Sequence, residues 1–330
     1  MFDNPLAITT TSLGLAPSHS LPEKITATAA NGFTSIEIVY QELVDYGQAQ
    51  SPVLDVYDAG RAIGELCRSV NIAVLALNPF KNFEGHHSPL ATRLESARHW
   101  IETAACVGAE HLQVPSQFDT ANSSGDWQTM LEELQRLSDL AASYSVRIAY
   151  EAVAWGSYIN TWEDSLRMVQ DVNRSNFGLC LDTFHIAARV WGDNTVPTGV
   201  QERADAALQT SLQRFIETYP MNKVFYVQLS DGERFDPPLS PQHRFYQAEF
   251  PPALTWSRHM RVFALETEFG AYLPVIEIAR VWLQDKEWKG VVSMEIFDWR
   301  MRDESRRPME NALRGQQSWK RLVNALEEES

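Results

Sequence analysis

The segment Arg147–Asp182 reads RIAYEAVAWGSYINTWEDSLRMVQDVNRSNFGLCLD and shows the structural unit from which the chain is built. It begins and ends with apolar runs of strand length, RIAYEAV and FGLCLD. Between them, Trp162–Val172 has apolar residues at helical spacing, and Thr161 with Asp164 three residues later is suited to cap the start of that helix. Strand, helix and strand in this order indicate two parallel strands joined by a crossover helix.

The same alternation extends in both directions along the chain. Eight apolar runs have strand length: Leu6–Ser12, Ser35–Tyr40, Ile72–Asn78, His111–Ser116, Arg147–Val153, Phe177–Asp182, Lys223–Ser230 and Gly290–Phe297. Segments with helical patterns lie between them: Asp55–Val70, Pro89–Val107, Asp126–Tyr144, Trp162–Val172, Glu202–Tyr219 and Tyr272–Gln284. The pattern predicts an α/β fold, a single (β/α)8 TIM barrel. An open doubly wound sheet is the alternative, but no Gly-x-Gly-x-x-Gly follows the first run, which disfavours it.

We expect one domain over residues 1–330, because no linker or change in composition divides the chain. The widest gap between strand-like runs is Asp231–Lys289, and its first half is rich in proline, which is typical of a loop. We therefore predict a long loop at about residues 231–270 over the C-terminal mouth of the barrel, where such enzymes bind substrates. A variable surface insertion is the alternative.

Composition excludes several classes of function. The chain has 28 Lys and Arg against 43 Asp and Glu, a formal net charge of −15, which argues against nucleic acid as a partner. It shows no signal-peptide pattern and no apolar stretch of membrane length, so we expect a cytoplasmic protein without a membrane partner. Three cysteines without a CxxC pair predict neither a disulfide framework nor a thiolate zinc site. The sequence leaves a homo-oligomer open.

The unusual feature is a polar residue near the end of each of the last four strand-like runs. These residues are Glu151, Asp182, Gln228 and Glu295. Because the ends of parallel barrel strands meet at one rim, several carboxylates there would repel each other without a compensating cation. Oxygen ligands without cysteine favour Mg²⁺, Mn²⁺ or Co²⁺ over Zn²⁺. The alternative is that each acid forms its own ion pair at a strand end.

Side-chain parity agrees with a site inside the barrel. Side chains alternate between the two faces of a strand, and small residues share a face with three of the four polar side chains: Ala149, Cys180 and Ser293. Bulky residues occupy the opposite faces, which suits packing against the outer helices. Tyr226, on the face of Gln228, fits this pattern less well.

Two further residues belong to the predicted rim. His185 follows Asp182 by three residues, so we expect it over the same mouth as a catalytic acid or base; a histidine bonded to the backbone is the alternative. Glu37, near the end of the second run, is either another pocket acid or a partner of a ligand.

These residues resemble the xylose-isomerase-like TIM barrel superfamily over nearly the whole chain. Several stretches are similar to the 3-dehydroshikimate dehydratases of quinate catabolism: Asn82–Gly85, Glu151–Gly156, Asn176–His185, Val227–Asp231, Thr255–Arg258 and Gly270–Pro274. The resemblance implies that the strand-end residues Glu151, Asp182, Gln228 and Glu295 are metal ligands and that His185 is the acid and base. Val153 is a departure, because some relatives have a histidine at this position, two residues after the first glutamate.

The resemblance implies metal-dependent dehydration of 3-dehydroshikimate to protocatechuate, through proton loss next to a ketone, a metal-stabilised enolate and loss of water. Glu151 is the second candidate for the base. A small anionic substrate needs local positive charge, for which Arg258, with Ser257 beside it, and Lys81 are the candidates. A divalent-metal-dependent sugar or keto-acid isomerase or epimerase is the alternative, because it also removes a proton next to a carbonyl. A non-enzymatic binding module is disfavoured, since none of the four ligands is lost.

Overall fold

The computed structural model describes residues 2–328. Its strands are β1 (Leu6–Thr9), β2 (Ser35–Val39), β3 (Ala73–Asn78), β4 (Ala109–Pro115), β5 (Arg147–Glu151), β6 (Phe177–Asp182), β7 (Val224–Leu229), β8 (Asp231–Gly232), β9 (Met260–Val262), β10 (Val292–Met294) and β11 (Phe297–Asp298). Strands β1 to β7 and β10 form a closed parallel barrel, in which β10 pairs with both β7 and β1. The predicted (β/α)8 barrel is confirmed.

Helices connect the barrel strands. They are α1 (Leu21–Ala30), α2 (Tyr40–Gln48), α3 (Val56–Ser69), α4 (Leu90–Val107), α5 (Trp127–Ala142), α6 (Trp162–Val172), α7 (Thr183–Val190), α8 (Ala204–Thr218), α9 (Pro252–His259), α10 (Val275–Arg280) and α11 (Pro308–Glu328). The Thr161 side chain accepts a hydrogen bond from the Asp164 N–H at the start of α6, as predicted. Helix α4 is followed by Gly108, whose φ of 79° is the left-handed conformation that glycine adopts without strain. Within residues 2–328, no helix is both long and apolar enough to cross a membrane.

The barrel encloses a narrow lumen. Its core is a small cluster of side chains: Ala7, Leu75, Ala76, Ala149, Cys180 and Tyr226. A much larger apolar cluster fills the layer between the strands and the helices, and it includes Ile148 and Tyr150 on the opposite face of β5. The small side chains that the parity of β5 and β6 predicted for the lumen, Ala149 and Cys180, lie there and leave room for polar groups at the rim.

The predicted first and last strands continue past points where the chain changes direction. The first run was predicted over Leu6–Ser12, but β1 ends at Thr9, where the chain turns into a 3-10 helix, Thr10–Leu13. The last run was predicted as one strand over Gly290–Phe297, but Phe297–Asp298 leaves the barrel and pairs antiparallel with β9. The residues after β1 are the small polar residues Thr10, Thr11 and Ser12, which are buried like the strand itself, and the apolar run after β10 continues through Ile296 to Phe297. Burial thus continues through both changes of direction, so the sequence pattern does not mark where these strands end.

The segment that we expected to be a loop, about residues 231–270, contains regular structure. It begins with β8 and later forms α9 and β9, and β9 pairs antiparallel with both β8 and β11 in a small sheet, here called the mouth sheet. The Asp231 carboxyl group accepts hydrogen bonds from four backbone N–H groups in and after this segment, those of Gly232, Leu265, Tyr272 and Leu273. Burial raises the pKa of Asp231 to about 6, although the four N–H groups act in the opposite direction.

Candidate active site

The residues predicted from the strand ends lie close together at the C-terminal end of the barrel. Glu151 and Asp182 are the last residues of β5 and β6, and Gln228 is paired in register with both Asp182 and Ser293. Glu295 follows β10 directly. These residues are buried, with at most 9% of the surface of each exposed. Their arrangement follows from the parallel register, which brings the carboxyl ends of neighbouring strands to one level.

His185 lies among these carboxyl groups. It is in the first turn of α7, so the helix places it three residues beyond Asp182 and above the strand end. Its Nε2 is 3.5 Å from Glu151 Oε1 and 3.9 Å from Asp182 Oδ2. One ligand atom from each of these three residues lies within 4.8 Å of the others, which is close enough for a shared metal ion.

The carboxyl groups are costly to ionise in this place. Burial raises the pKa of Glu151 well above its ordinary value, and the neighbouring Glu295 and Asp182 raise it further, whereas Arg261 opposes the shift. Burial also raises the pKa of Asp182 and that of Glu295, the latter to about 7. The site therefore has a surplus of acidic groups that a cation would stabilise in their ionised form.

Arg261 is a site residue that the sequence analysis missed. From β9 of the mouth sheet its guanidinium donates to Asp182 and, at 2.8 Å, to Glu295, and at 2.8 Å to the Ser230 hydroxyl. Only 1% of its side chain is exposed. From the sequence we expected a metal ion as the compensating cation, and this arginine supplies one positive charge. The available signal was an arginine inside an otherwise apolar run, Met260–Ala264.

Two buried amides donate to buried carboxyl groups of the site. Gln113 Nε2 donates to Glu151 Oε2, and Gln228 Nε2 donates to Glu37 at 3.0 Å. Glu37, which the sequence analysis left as a pocket acid or a partner of a ligand, thus contacts Gln228 directly. Burial raises the pKa of Glu37, although hydrogen bonds from Ser293, Gln228, Tyr226 and Asn78 act in the opposite direction. Gln113 has no sequence signal, because it is one of many glutamines in the chain.

The donor set fits a hard divalent cation. Glu151 Oε1 and Gln228 Oε1 are buried oxygens without a hydrogen-bond partner within residues 2–328, although buried oxygens are normally bonded. In addition, the buried acids Glu151, Asp182 and Glu295 share one buried guanidinium within residues 2–328, that of Arg261. Unpaired oxygen atoms and uncompensated negative charge are what Mg²⁺ or Mn²⁺ binds.

The backbone contact of His185 determines its tautomer. The Ala154 N–H donates to His185 Nδ1 at 3.1 Å, so in the neutral ring the proton belongs on Nε2, by assignment from this hydrogen bond. Burial lowers the pKa of His185 well below its ordinary value, and Arg261 lowers it further, which favours the neutral ring. Trp155 packs edge-on against the imidazole at 4.9 Å and restricts its rotation. His185 therefore presents an N–H donor towards Glu151.

A cavity of about 220 Å³ opens above these groups. Its lining includes the three predicted substrate residues, Lys81, Ser257 and Arg258, as well as Glu151, His185, Arg261 and Glu295. Asp182 and Gln228 are not among its lining side chains. Val153 also lines the cavity, so the position where some relatives have a histidine presents an apolar group to a bound molecule.

The cationic side of the cavity is formed by residues from two parts of the chain. Arg258 belongs to α9 and its guanidinium stacks on the Phe250 ring at 4.4 Å, which orients it without an ion pair. Lys81 follows β3, and desolvation by the surrounding protein lowers its pKa, as does the nearby Arg258. Together with Arg261 these residues place positive charge beside the acidic rim, an arrangement suited to a polar molecule with one anionic end.

Known proteins are similar to this chain in sequence and in fold. Residues 25–322 match the xylose isomerase-like TIM barrel family. A 3-dehydroshikimate dehydratase of Neurospora crassa is 36% identical over 337 residues, which span 97% of this chain and 94% of that relative. A 3-dehydroshikimate dehydratase of Pseudomonas aeruginosa is 30% identical over 85% of this chain, and the match spans 37% of that longer relative.

A solved structure supports the assignment. The structure of a xylose isomerase-like TIM barrel/4-hydroxyphenylpyruvate dioxygenase fusion protein superimposes with a TM-score of 0.74 at 26% identity, over 99% of this chain and 44% of that chain. The resemblance inferred from the strand-end residues is thereby confirmed. From its family match, its similarity to curated relatives and its barrel, the chain belongs to the xylose isomerase-like TIM barrel family.

Proposed function

We propose that the protein is a 3-dehydroshikimate dehydratase, a hydro-lyase that converts 3-dehydroshikimate to protocatechuate and water. One observation carries this proposal: a single cavity joins the cations Lys81, Arg258 and Arg261 to the proton-transfer candidates Glu151 and His185. The substrate needs both, because it has a carboxylate at one end of its ring and an acidic C–H group beside a ketone at the other. The two relatives that carry this name support the choice of substrate.

We also propose that Glu151, Asp182, Gln228 and Glu295 hold a divalent ion, Mg²⁺, Mn²⁺ or Co²⁺. The unpartnered oxygens of Glu151 and Gln228 and the surplus of buried carboxyl groups support this proposal. When bound, such an ion supplies Lewis-acid stabilisation of the negative charge that develops at the ketone, typically several kcal/mol.

The cationic side of the cavity binds the substrate carboxylate. Arg258 is the main candidate, because it lines the cavity and has no ion-pair partner within the described chain, so its guanidinium is free for a bidentate contact. Lys81 adds a second positive charge and the Ser257 hydroxyl a hydrogen-bond group in the same wall. Fixing the carboxylate orients the ring, so that the reacting carbon atoms face Glu151 and His185.

Glu151 and His185 share the proton chemistry. The Glu151 carboxylate takes the proton from carbon 4, which is acidic because it lies beside the carbon-3 ketone. A carboxylate has two oxygens, so one would contact the ion while the other accepts the proton. His185 contributes the Nε2–H donor, which stabilises negative charge on the reacting oxygen atoms. Glu151 then returns the proton to the departing carbon-5 hydroxyl, which leaves as water. A further proton shift from the ring to the ketone oxygen makes the ring aromatic.

The test is a direct assay of the purified protein with 3-dehydroshikimate and Mn²⁺. We expect a new ultraviolet absorbance that develops with turnover and a product that co-elutes with protocatechuate. Sugar or keto-acid isomerisation, the competing proposal, creates no aromatic chromophore. A protein that isomerises a hydroxylated ketone without forming protocatechuate would overturn the dehydratase proposal and support the isomerase or epimerase.

The resemblance is also the basis of our proposals for the pathway, the cellular compartment and the partners of the protein. We propose that the enzyme acts on a small anionic molecule in the cytoplasm, in quinate catabolism, without nucleic acid or membrane partners. The net charge of −15 supports the exclusion of nucleic acid. Growth of a deletion strain on quinate as the carbon source tests the pathway: normal growth would contradict it.

A further inference from the structure

Glu37 is a buried carboxyl group in the barrel lumen that has no part in the proton chemistry proposed above. It belongs to β2, and none of its surface is exposed. Four side chains from three other strands donate to its oxygens: Ser293 Oγ at 2.5 Å, Gln228 Nε2 at 3.0 Å, Tyr226 OH at 3.0 Å and Asn78 Nδ2 at 3.3 Å. So many polar contacts around one lumen carboxyl group indicate a defined task.

The Gln228 amide nitrogen contacts both oxygens of the Glu37 carboxyl group. Gln228 Nε2 lies 3.0 Å from Glu37 Oε1 and 3.2 Å from Glu37 Oε2, so both carboxylate oxygens face the amide nitrogen. A carboxylate offers acceptors, whereas an amide has a donor end and an acceptor end. Turning the Gln228 amide by half a rotation would bring its oxygen against the two oxygens of Glu37. The amide therefore has one favourable orientation.

This orientation determines which atom Gln228 offers to the rest of the site. With Nε2 bound to Glu37, Gln228 Oε1 is left at the other end of the amide, and it is buried without a hydrogen-bond partner within residues 2–328. Gln228 is paired in register with Asp182, the neighbouring strand-end acid. An amide oxygen coordinates a divalent cation, whereas an amide nitrogen does not.

We propose that Glu37 is a positioning residue: it holds the Gln228 amide by its nitrogen, so that the oxygen is presented to a divalent ion. This inference rests on the metal site of the proposed function. Partners that orient metal ligands in this way usually change metal affinity by about 10- to 100-fold when they are removed.

The first test variant is Glu37→Gln, which keeps the size of the side chain. The introduced amide can offer either its oxygen or its nitrogen to Gln228, so the single favourable orientation is lost. We expect the dissociation constant for Mn²⁺, measured by isothermal titration calorimetry on the full chain, to rise about 10- to 100-fold. Circular dichroism and the melting temperature establish that the variant is folded.

The second variant exchanges the two groups, Glu37→Gln together with Gln228→Glu. The amide introduced at position 37 then donates to the carboxylate introduced at position 228, which has an oxygen at both ends and needs no orientation. Charge and hydrogen bonding are conserved, and we expect most of the lost Mn²⁺ affinity to return. The exchange restores an oxygen atom at the ligand position of residue 228. Recovery is therefore expected if the single variant lost affinity through a misplaced ligand atom, and not if it lost affinity through a destabilised lumen. If Glu37→Gln does not fold, the exchange variant alone must bind Mn²⁺ nearly as tightly as the wild type.

Tyr226→Phe is the matched control, because it removes one donor to the same carboxyl group and leaves Glu37 as an acceptor for Gln228. We expect its Mn²⁺ affinity to stay near that of the wild type. Unchanged affinity in Glu37→Gln, no recovery in a folded exchange variant, or an equal loss in Tyr226→Phe would each overturn the positioning role alone. A wild-type protein that binds no divalent ion would overturn the metal site and this inference together.

Discussion

Arg261 Nη1 donates to Glu295 Oε2 at 2.8 Å and so connects the mouth sheet to the residue that follows the last barrel strand. The same guanidinium contacts Asp182 at the end of β6. Two strand ends and the segment that covers them are therefore joined through one buried cation. The mouth sheet is part of the electrostatics of the site and not only a cover for it.

Removing this cation should destabilise the fold. In Arg261→Met, Asp182 and Glu295 are left buried without their partner, so we expect the free energy of unfolding to fall by about 3–5 kcal/mol in urea titrations without metal. Added Mn²⁺ should restore part of the loss, because a divalent ion compensates the same carboxylates. Arg258→Met is the control, since its half-buried guanidinium has no ion-pair partner within the described chain. Equal stability of the two variants would contradict this account.

Two variants distinguish whether His185 acts as a hydrogen-bond donor or as the base. His185→Ala should lower kcat by about 10²- to 10⁴-fold while the protein still binds metal. His185→Gln keeps an N–H donor near the position of Nε2 but cannot act as a base, so we expect it to retain clearly more activity than His185→Ala. Steady-state kinetics with measured metal content check this. If both variants lose the same activity, the ring acts as the base, and Ala154 must release Nδ1 during turnover.

Arg258 should affect substrate binding rather than metal binding. For Arg258→Ala we expect KM to rise about 10- to 100-fold, the loss of one charge-assisted contact, with metal content unchanged by elemental analysis. Arg244→Ala is a suitable control, because Arg244 also stacks on an aromatic ring, that of Phe245 at 4.4 Å, but does not line the cavity. A normal KM in Arg258→Ala would remove this residue from the substrate site.

Metal and activity should be lost together when a ligand is removed. Exhaustive chelation of the wild type should abolish turnover, and Mn²⁺ should restore it. Glu295→Ala should bind little metal and show no activity at any substrate concentration, because one of the four proposed ligands is gone. Inductively coupled plasma mass spectrometry gives the metal content of each sample. Full activity after chelation would show that the four strand-end residues do not hold a catalytic ion.

The raised pKa of Glu84 predicts a pH dependence of the folding stability that is separate from the proton transfer by Glu151 and His185. Burial raises its pKa to about 7, although hydrogen bonds from the Tyr150 hydroxyl and the Gln117 N–H oppose this. The folded protein thus binds this proton more tightly than the unfolded chain. The contribution of Glu84 to the free energy of unfolding is complete below the ordinary glutamate pKa and is lost as the pH rises through about 7.

Glu84→Gln should remove that part of the pH dependence. Between pH 5 and pH 8 we expect the stability of the wild type, relative to the variant, to fall by about 2–3 kcal/mol, measured by urea unfolding at both pH values. Tyr150→Phe, which removes one donor to the same carboxyl group, should keep the pH dependence. A constant difference between wild type and Glu84→Gln at the two pH values would show that Glu84 is ionised throughout.

The barrel and the positions of its strand-end acids could be predicted from local pattern. Strand and helix periods of about two and 3.6 residues are visible within windows of a dozen residues, and each of Glu151, Asp182, Gln228 and Glu295 lies at or near the end of such a window. The parallel register then brings them to one rim. Less could be predicted for residues 231–270, because short antiparallel strands in a proline-rich segment have no period long enough to recognise.

The partners of these acids depend on the closed barrel. Arg261 meets Asp182 across 79 positions of sequence, and Glu37 meets Gln228 across 191. The tautomer of His185 likewise depends on the Ala154 N–H, 31 positions away. Local alternation of apolar and polar residues therefore specifies the strands, the helices and the face on which each polar group lies. Pairing between distant charges and amides follows only from tertiary packing, because burial excludes water and leaves each polar atom to find its partner among the side chains that the fold brings near.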